Sequence, residues 1–162
     1  METLQGLFEE SVKDIYSAEK QFLRAMPKLA KAARDESLQE AINVHIEQSS
    51  AQLDRLDLIG EMTDFKLNGK VCKVAAGLVE EAEEYMKQGK PGPILDAAIV
   101  SCIQKNEHYE IATYSALAAW AGELGMKDAV AILEEILAEE QANDNLLTSL
   151  AKGGLNKAAA AA

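Results

Sequence analysis

Four long stretches of helically spaced apolar residues are joined by connections of very unequal length, and those lengths leave few ways to fold the chain. The first stretch, roughly residues 2–33, repeats Leu4, Phe8, Ile15, Phe22, Met26, Leu29 and Ala33. The second, roughly 37–60, carries Leu38, Ile42, Ile46, Leu53, Leu56 and Ile59. A third, from about Ile94 to Glu123, is entered through Pro91-Gly92-Pro93, and the fourth begins near Met126 or Lys127. The first pair and the second pair are each joined by only a few residues, so each should form an antiparallel hairpin. Between the hairpins lie residues 61–92, with Val71, Ala75, Leu78, Val79, Ala82 and Met86 at helical spacing, which predicts a short extra helix near 70–87. An up-down-up-down bundle has no need of so long a link. A ferritin-like plan, two hairpins and a crossover running the length of the bundle, does.

Composition agrees with an all-α chain. Ala, Leu, Glu, Gln and Lys dominate, β-branched residues are sparse and strand-like alternation is absent. Pro27 falls inside the first stretch, where it removes one helical hydrogen bond and favours a kink; Asp35 and Ser37 compete to cap the second helix. With 162 residues the chain has room for one domain, taken as residues 1–152, followed by an Ala-rich tail at 153–162 expected to fray. A net charge of −11 excludes the basic surfaces that nucleic acids and anionic membranes require. The apolar runs are too short to span a bilayer and no signal-peptide pattern opens the chain, so a cytoplasmic location is expected. Cys72 and Cys102 lack CxxC spacing and read as two free thiols; with two distant histidines they do not make a zinc–thiolate site.

Each apolar stripe is broken by polar residues near its middle. Glu19 interrupts the first, and His45, Ser49 and Gln52 the second. Asn106 and Glu110, with Glu107 nearer the edge, interrupt the third. On the fourth, Met126, Val130, Leu133, Leu137, Leu147 and Ala151 leave two slots filled by Glu140 and Asp144. Counted from the hairpin turns at about 1.5 Å per residue, Glu19, Gln52, Glu107, Glu110 and Glu140 should lie nearly level, with His45 and Asp144 about a turn away on opposite sides. A buried carboxylate neutralises, pairs or binds a cation. Several carboxylates and an imidazole in one layer match a carboxylate-bridged centre of two metal ions, iron or manganese, with dioxygen or peroxide as the small oxidant if the metal is iron. Two other readings stay open: a metal-free polar network that fixes helix register in an interaction protein, and a metal buffer without turnover. By the same periodicity Glu47 and His108 face solvent.

The segments DIYSAEKQ (Asp14–Gln21), His45-Ile-Glu47 with Gln52, EHYEIATY (Glu107–Tyr114) and Glu139-Glu140 with Asp144 together resemble the YciE/YciF-like family, a bacterial group of the ferritin-like superfamily associated with stress responses. The likeness covers nearly the whole chain except the alanine tail. It implies a four-helix bundle with an added short helix, a homodimer and a dimetal centre, but no established reaction. Ferritin and rubrerythrin-type sites place Glu-x-x-His on the second and fourth helices. Here Glu47 is followed at that spacing by Ser50, and Glu140 by Asn143. Asp144 on the fourth helix and His45 on the second are the expected substitutes.

Overall fold

A computed structural model describes residues 2–162. Its helices are α1 (Leu4–Ala32), α2 (Glu36–Thr63), α3 (Lys73–Gln88), α4 (Pro93–Glu123), α5 (Lys127–Leu150) and a terminal α6 (Asn156–Ala160). The boundaries lie within a few residues of those expected from the apolar repeats. Several starts have a local cause. The Thr3 hydroxyl accepts from Gly6 N at 3.1 Å, and the Asp35 carboxylate accepts from Leu38 N at 2.9 Å, so Asp35 rather than Ser37 caps α2. Pro93 opens α4, where its missing N–H costs nothing. Gly125 makes the α4–α5 turn at φ 72°, a conformation in which a side chain is strained. α1 continues unbroken through Pro27.

α1 pairs with α2 and α4 with α5; the hairpins then pack α1 on α4 and α2 on α5, and α3 lies across α1 and α4. Phe8, Ile15, Phe22, Leu38, Ile99 and Leu117 are among the fully buried side chains of the interior. The crossover is fastened to α1 by Gln21, whose amide donates to the Cys72 carbonyl at 3.0 Å, and by the Ser17 hydroxyl, which accepts from Cys72 N at 3.0 Å. Both cysteines are buried free thiols.

The tail differs from the expectation of fraying. A π-helical turn over Ala151–Leu155 carries Gly153-Gly154, Leu155 returns to the interior, and α6 lies against α4. One apolar anchor followed by five good helix formers accounts for this.

The hairpins are also locked together at one end. The buried Asp96 carboxylate, in the first turn of α4, accepts from Arg34 N at 2.8 Å and Asp35 N at 3.1 Å in the α1–α2 turn. Asp96→Ala should lower unfolding free energy by about 2 kcal/mol, with Asp96→Asn losing less, as read by urea denaturation.

Candidate metal centre

The middle of the bundle holds the polar layer. Glu19 from α1, His45, Ser49 and Gln52 from α2, Glu107 and Glu110 from α4, and Glu140 and Asn143 from α5 are all buried. One donor atom from each of His45, Glu107, Glu110 and Glu140 lies within 4.8 Å of the others. His45 Nδ1 approaches Glu107 Oε1 to 2.7 Å, and His45 Nε2 is 4.0 Å from Glu140 Oε2. Glu19 closes the α1 side, its Oε1 accepting from the buried Tyr114 hydroxyl at 2.5 Å. Gln52 Nε2 donates to Glu140 Oε1 and, at 3.0 Å, to Glu139 Oε2, which in turn pairs with Arg55 Nη2 at 2.5 Å. A half-buried ion pair thereby orients a buried amide toward a buried acid.

Five of the six expected ligand residues meet here: Glu19, His45, Glu107, Glu110 and Glu140. Asp144 does not. It lies at the α4–α5 edge with its side chain 19% exposed, accepts from Gln104 Nε2 at 3.0 Å and sits 3.4 Å from His108 Nε2. The cause is the phase of α5. Its buried line runs Ala129, Leu133, Ile136, Glu140, Asn143 and Leu147, so Asn143 takes the slot expected for Asp144 and Ile136 that expected for Leu137. Neighbouring residues on a helix are about 100° apart, and Leu133, Glu140 and Leu147 fit both phases. Asn143 Nδ2 lies 3.4 Å from His45 Nδ1. The signal that finds it is the Glu-x-x-His spacing itself: Asn143 occupies the histidine position three residues after Glu140. His45, expected a turn off the layer, is inside it. Glu107, expected near the edge, is fully buried because α4 is packed by α1, α3 and α5. Glu47 and His108 face solvent, as their periodicity predicts.

Burial raises the carboxyl pKa values from the ordinary 4.5. Glu19 rises to about 8 through burial and the Glu140 charge, Glu107 to about 8 through burial and the Glu19 charge, and Glu140 to about 9 through burial and its contact with Glu107. Glu110 lies well above 4.5 because it is buried among Glu19, Glu140 and Glu107. Fixed donors do not satisfy the layer: Glu19 Oε2, Glu140 Oε2 and both oxygens of Glu107 and of Glu110 accept no well-aligned hydrogen bond from a backbone or side-chain donor, although His45 Nδ1 lies close to Glu107 Oε1. Oxygens left unpartnered at this depth are costly, and a cation satisfies several at once. The donor set of His45, Glu107, Glu110 and Glu140 could hold a metal ion.

Residues 3–160 match the family described as Domain of unknown function (DUF892). The chain belongs to this family. It is 41% identical over 160 residues to protein YciF of Escherichia coli K12, covering 98% of this chain and 96% of that one. The solved E. coli YciF, described as a stress protein, superposes with a TM-score of 0.92 at 40% identity, covering 97% of this chain and 99% of that one. YcfI of Rhodopseudomonas palustris gives 0.88 at 38% identity, covering 91% and 94%. A Xanthomonas campestris protein gives 0.73 at 20% identity over 91% of each chain and shares the fold alone. The architecture is the ferritin-like helical bundle, and the chain is YciF-like.

The raised pKa values set a pH dependence for the metal-free protein. Between the unfolded value of 4.5 and the folded values of about 8 to 9, the folded state binds more protons than the unfolded one. Stability is therefore greatest in mild acid and falls as pH rises through that window. Thermal melts of chelator-treated protein should show the decline, and Glu110→Gln should flatten it.

Proposed function

We propose that the centre holds two divalent cations, iron or manganese, bridged by carboxylates. The observation that carries this reading is the set of unpartnered oxygens on Glu19, Glu107, Glu110 and Glu140. A network kept only to fix helix register would place donors on those acceptors, whereas among the described residues the donors that reach the four carboxyl groups are Tyr114 and Gln52, with the His45 ring close to Glu107. His45, Glu107, Glu110 and Glu140 span one coordination sphere. Glu19, on the opposite wall beside Glu110 and Glu140, supplies the further carboxylate a second ion needs.

Iron or manganese bound there supplies one-electron redox chemistry toward dioxygen or peroxide. The chain's own residues set its terms. Glu107, Glu110 and Glu140 offer anionic oxygens that offset cation–cation repulsion, and Gln52 and Tyr114 hold Glu140 and Glu19 in fixed orientations. The apolar residues around the layer exclude bulk water. One imidazole among four carboxylates makes a hard site, suited to ions that prefer oxygen ligands. Since its relative in E. coli is described as a stress protein, we extend that association to this chain, with iron oxidation that removes oxidant as the protective act.

Elemental analysis of protein purified without chelator, before and after anaerobic Fe(II) loading, should approach about two metals per chain. Glu110→Gln combined with Glu140→Gln should lose both the metal and the rise in melting temperature that metal confers. Wild-type protein that holds no metal after loading would return the layer to a purely structural role.

A further inference from the structure

We propose that a slot between α2 and α5 is the route into the centre for neutral molecules of the size of water, dioxygen or hydrogen peroxide. Glu19, Glu107 and Glu140 are wholly shielded from solvent and Glu110 is 1% exposed; His45 retains 5%. Among these five residues, solvent contact is thus concentrated on one imidazole. That imidazole lines the slot. Of the lining residues, Leu146 of α5 is 45% exposed and Ala41 of α2 is half-buried, so the slot is open to solvent on their side. Met26, Ile42, Ile103 and Leu147 are its buried apolar lining, and His45 and Asn143 its polar lining.

The dimensions set the selection. The free volume is about 10 Å³, close to the minimum that admits one water-sized molecule. Apart from His45 and Asn143 the lining is apolar, so a hydrated ion would have to shed its water in the slot, whereas a small neutral molecule need not. A molecule in the slot meets the His45 ring, whose Nδ1 is 2.7 Å from Glu107. Leu146 is the adjustable part of this path: it lines the slot on its exposed side, so its size can change without opening a cavity in the packed interior. Access of an oxidant matters only on the metal reading above; the route itself rests on the geometry of the metal-free chain.

Dissolved dioxygen is paramagnetic and relaxes the nuclei it approaches, so it serves as the probe in chelator-treated protein. Methyl groups of Met26, Ile42 and Ile103 line the slot, while those of Ile15, Ile59 and Leu117 are equally buried outside it. Under oxygen pressure the first set should relax several-fold more than the second. Leu146→Trp should abolish the difference and Leu146→Ala enlarge it, with melting temperatures of the variants reported alongside. Equal relaxation of both sets, or a slot signal indifferent to both Leu146 variants, would overturn the route. Because no metal is present in the measurement, that failure is distinct from a failure of the centre to bind ions.

Discussion

The constraint on which this molecule depends is the burial of four carboxyl groups held at one depth in an apolar bundle, within reach of one another's charge. Separately, each would stay ionised at a surface. Together and shielded, Glu19, Glu107, Glu110 and Glu140 are driven toward their neutral forms by burial and by one another. Apolar residues at those positions would pack without the penalty, so a core chosen for stability alone has no use for this arrangement. The cost is local and specific, and it falls where the helices bring acids from both hairpins to a common level.

The rest of the fold serves that alignment. Two short turns fix the depth of α1 against α2 and of α4 against α5, and Asp96 ties the first turn to the start of α4, which sets one hairpin's height against the other. The crossover and α3 lie outside the layer, leaving all four long helices free to face it. A second set of residues then orients the acids from behind: Arg55 and Glu139 aim Gln52 at Glu140, and Tyr114 holds Glu19. Rigidity in this outer set is what allows the inner oxygens to remain unpartnered.

The fold was legible because connection lengths and apolar repeats survive without tertiary information. Depth within the bundle was legible too, since the short turns act as a ruler; this is why Glu19, Glu110 and Glu140 were readable from spacing. Azimuth was harder. Helix α5 offers two apolar lines one residue apart, and hydrophobicity alone could not say whether Asn143 or Asp144 faces inward; packing against α2 decides for Asn143. Glu107 looked peripheral because the sequence does not reveal that α4 is enclosed by α1, α3 and α5. Similarly, the tail's composition suggested fraying, whereas a single leucine, Leu155, brings it back to the interior.

If protons and cations are alternative occupants of the same carboxylates, binding one must expel the other. The direct measurement is proton release as Mn(II) is titrated into chelator-stripped, weakly buffered protein near neutral pH, below the values of about 8 to 9 reached by Glu19, Glu107 and Glu140. The account predicts net release with each ion bound, and none from the Glu110→Gln, Glu140→Gln double variant. Manganese bound with no proton released would contradict it, placing the ion elsewhere on the acidic surface.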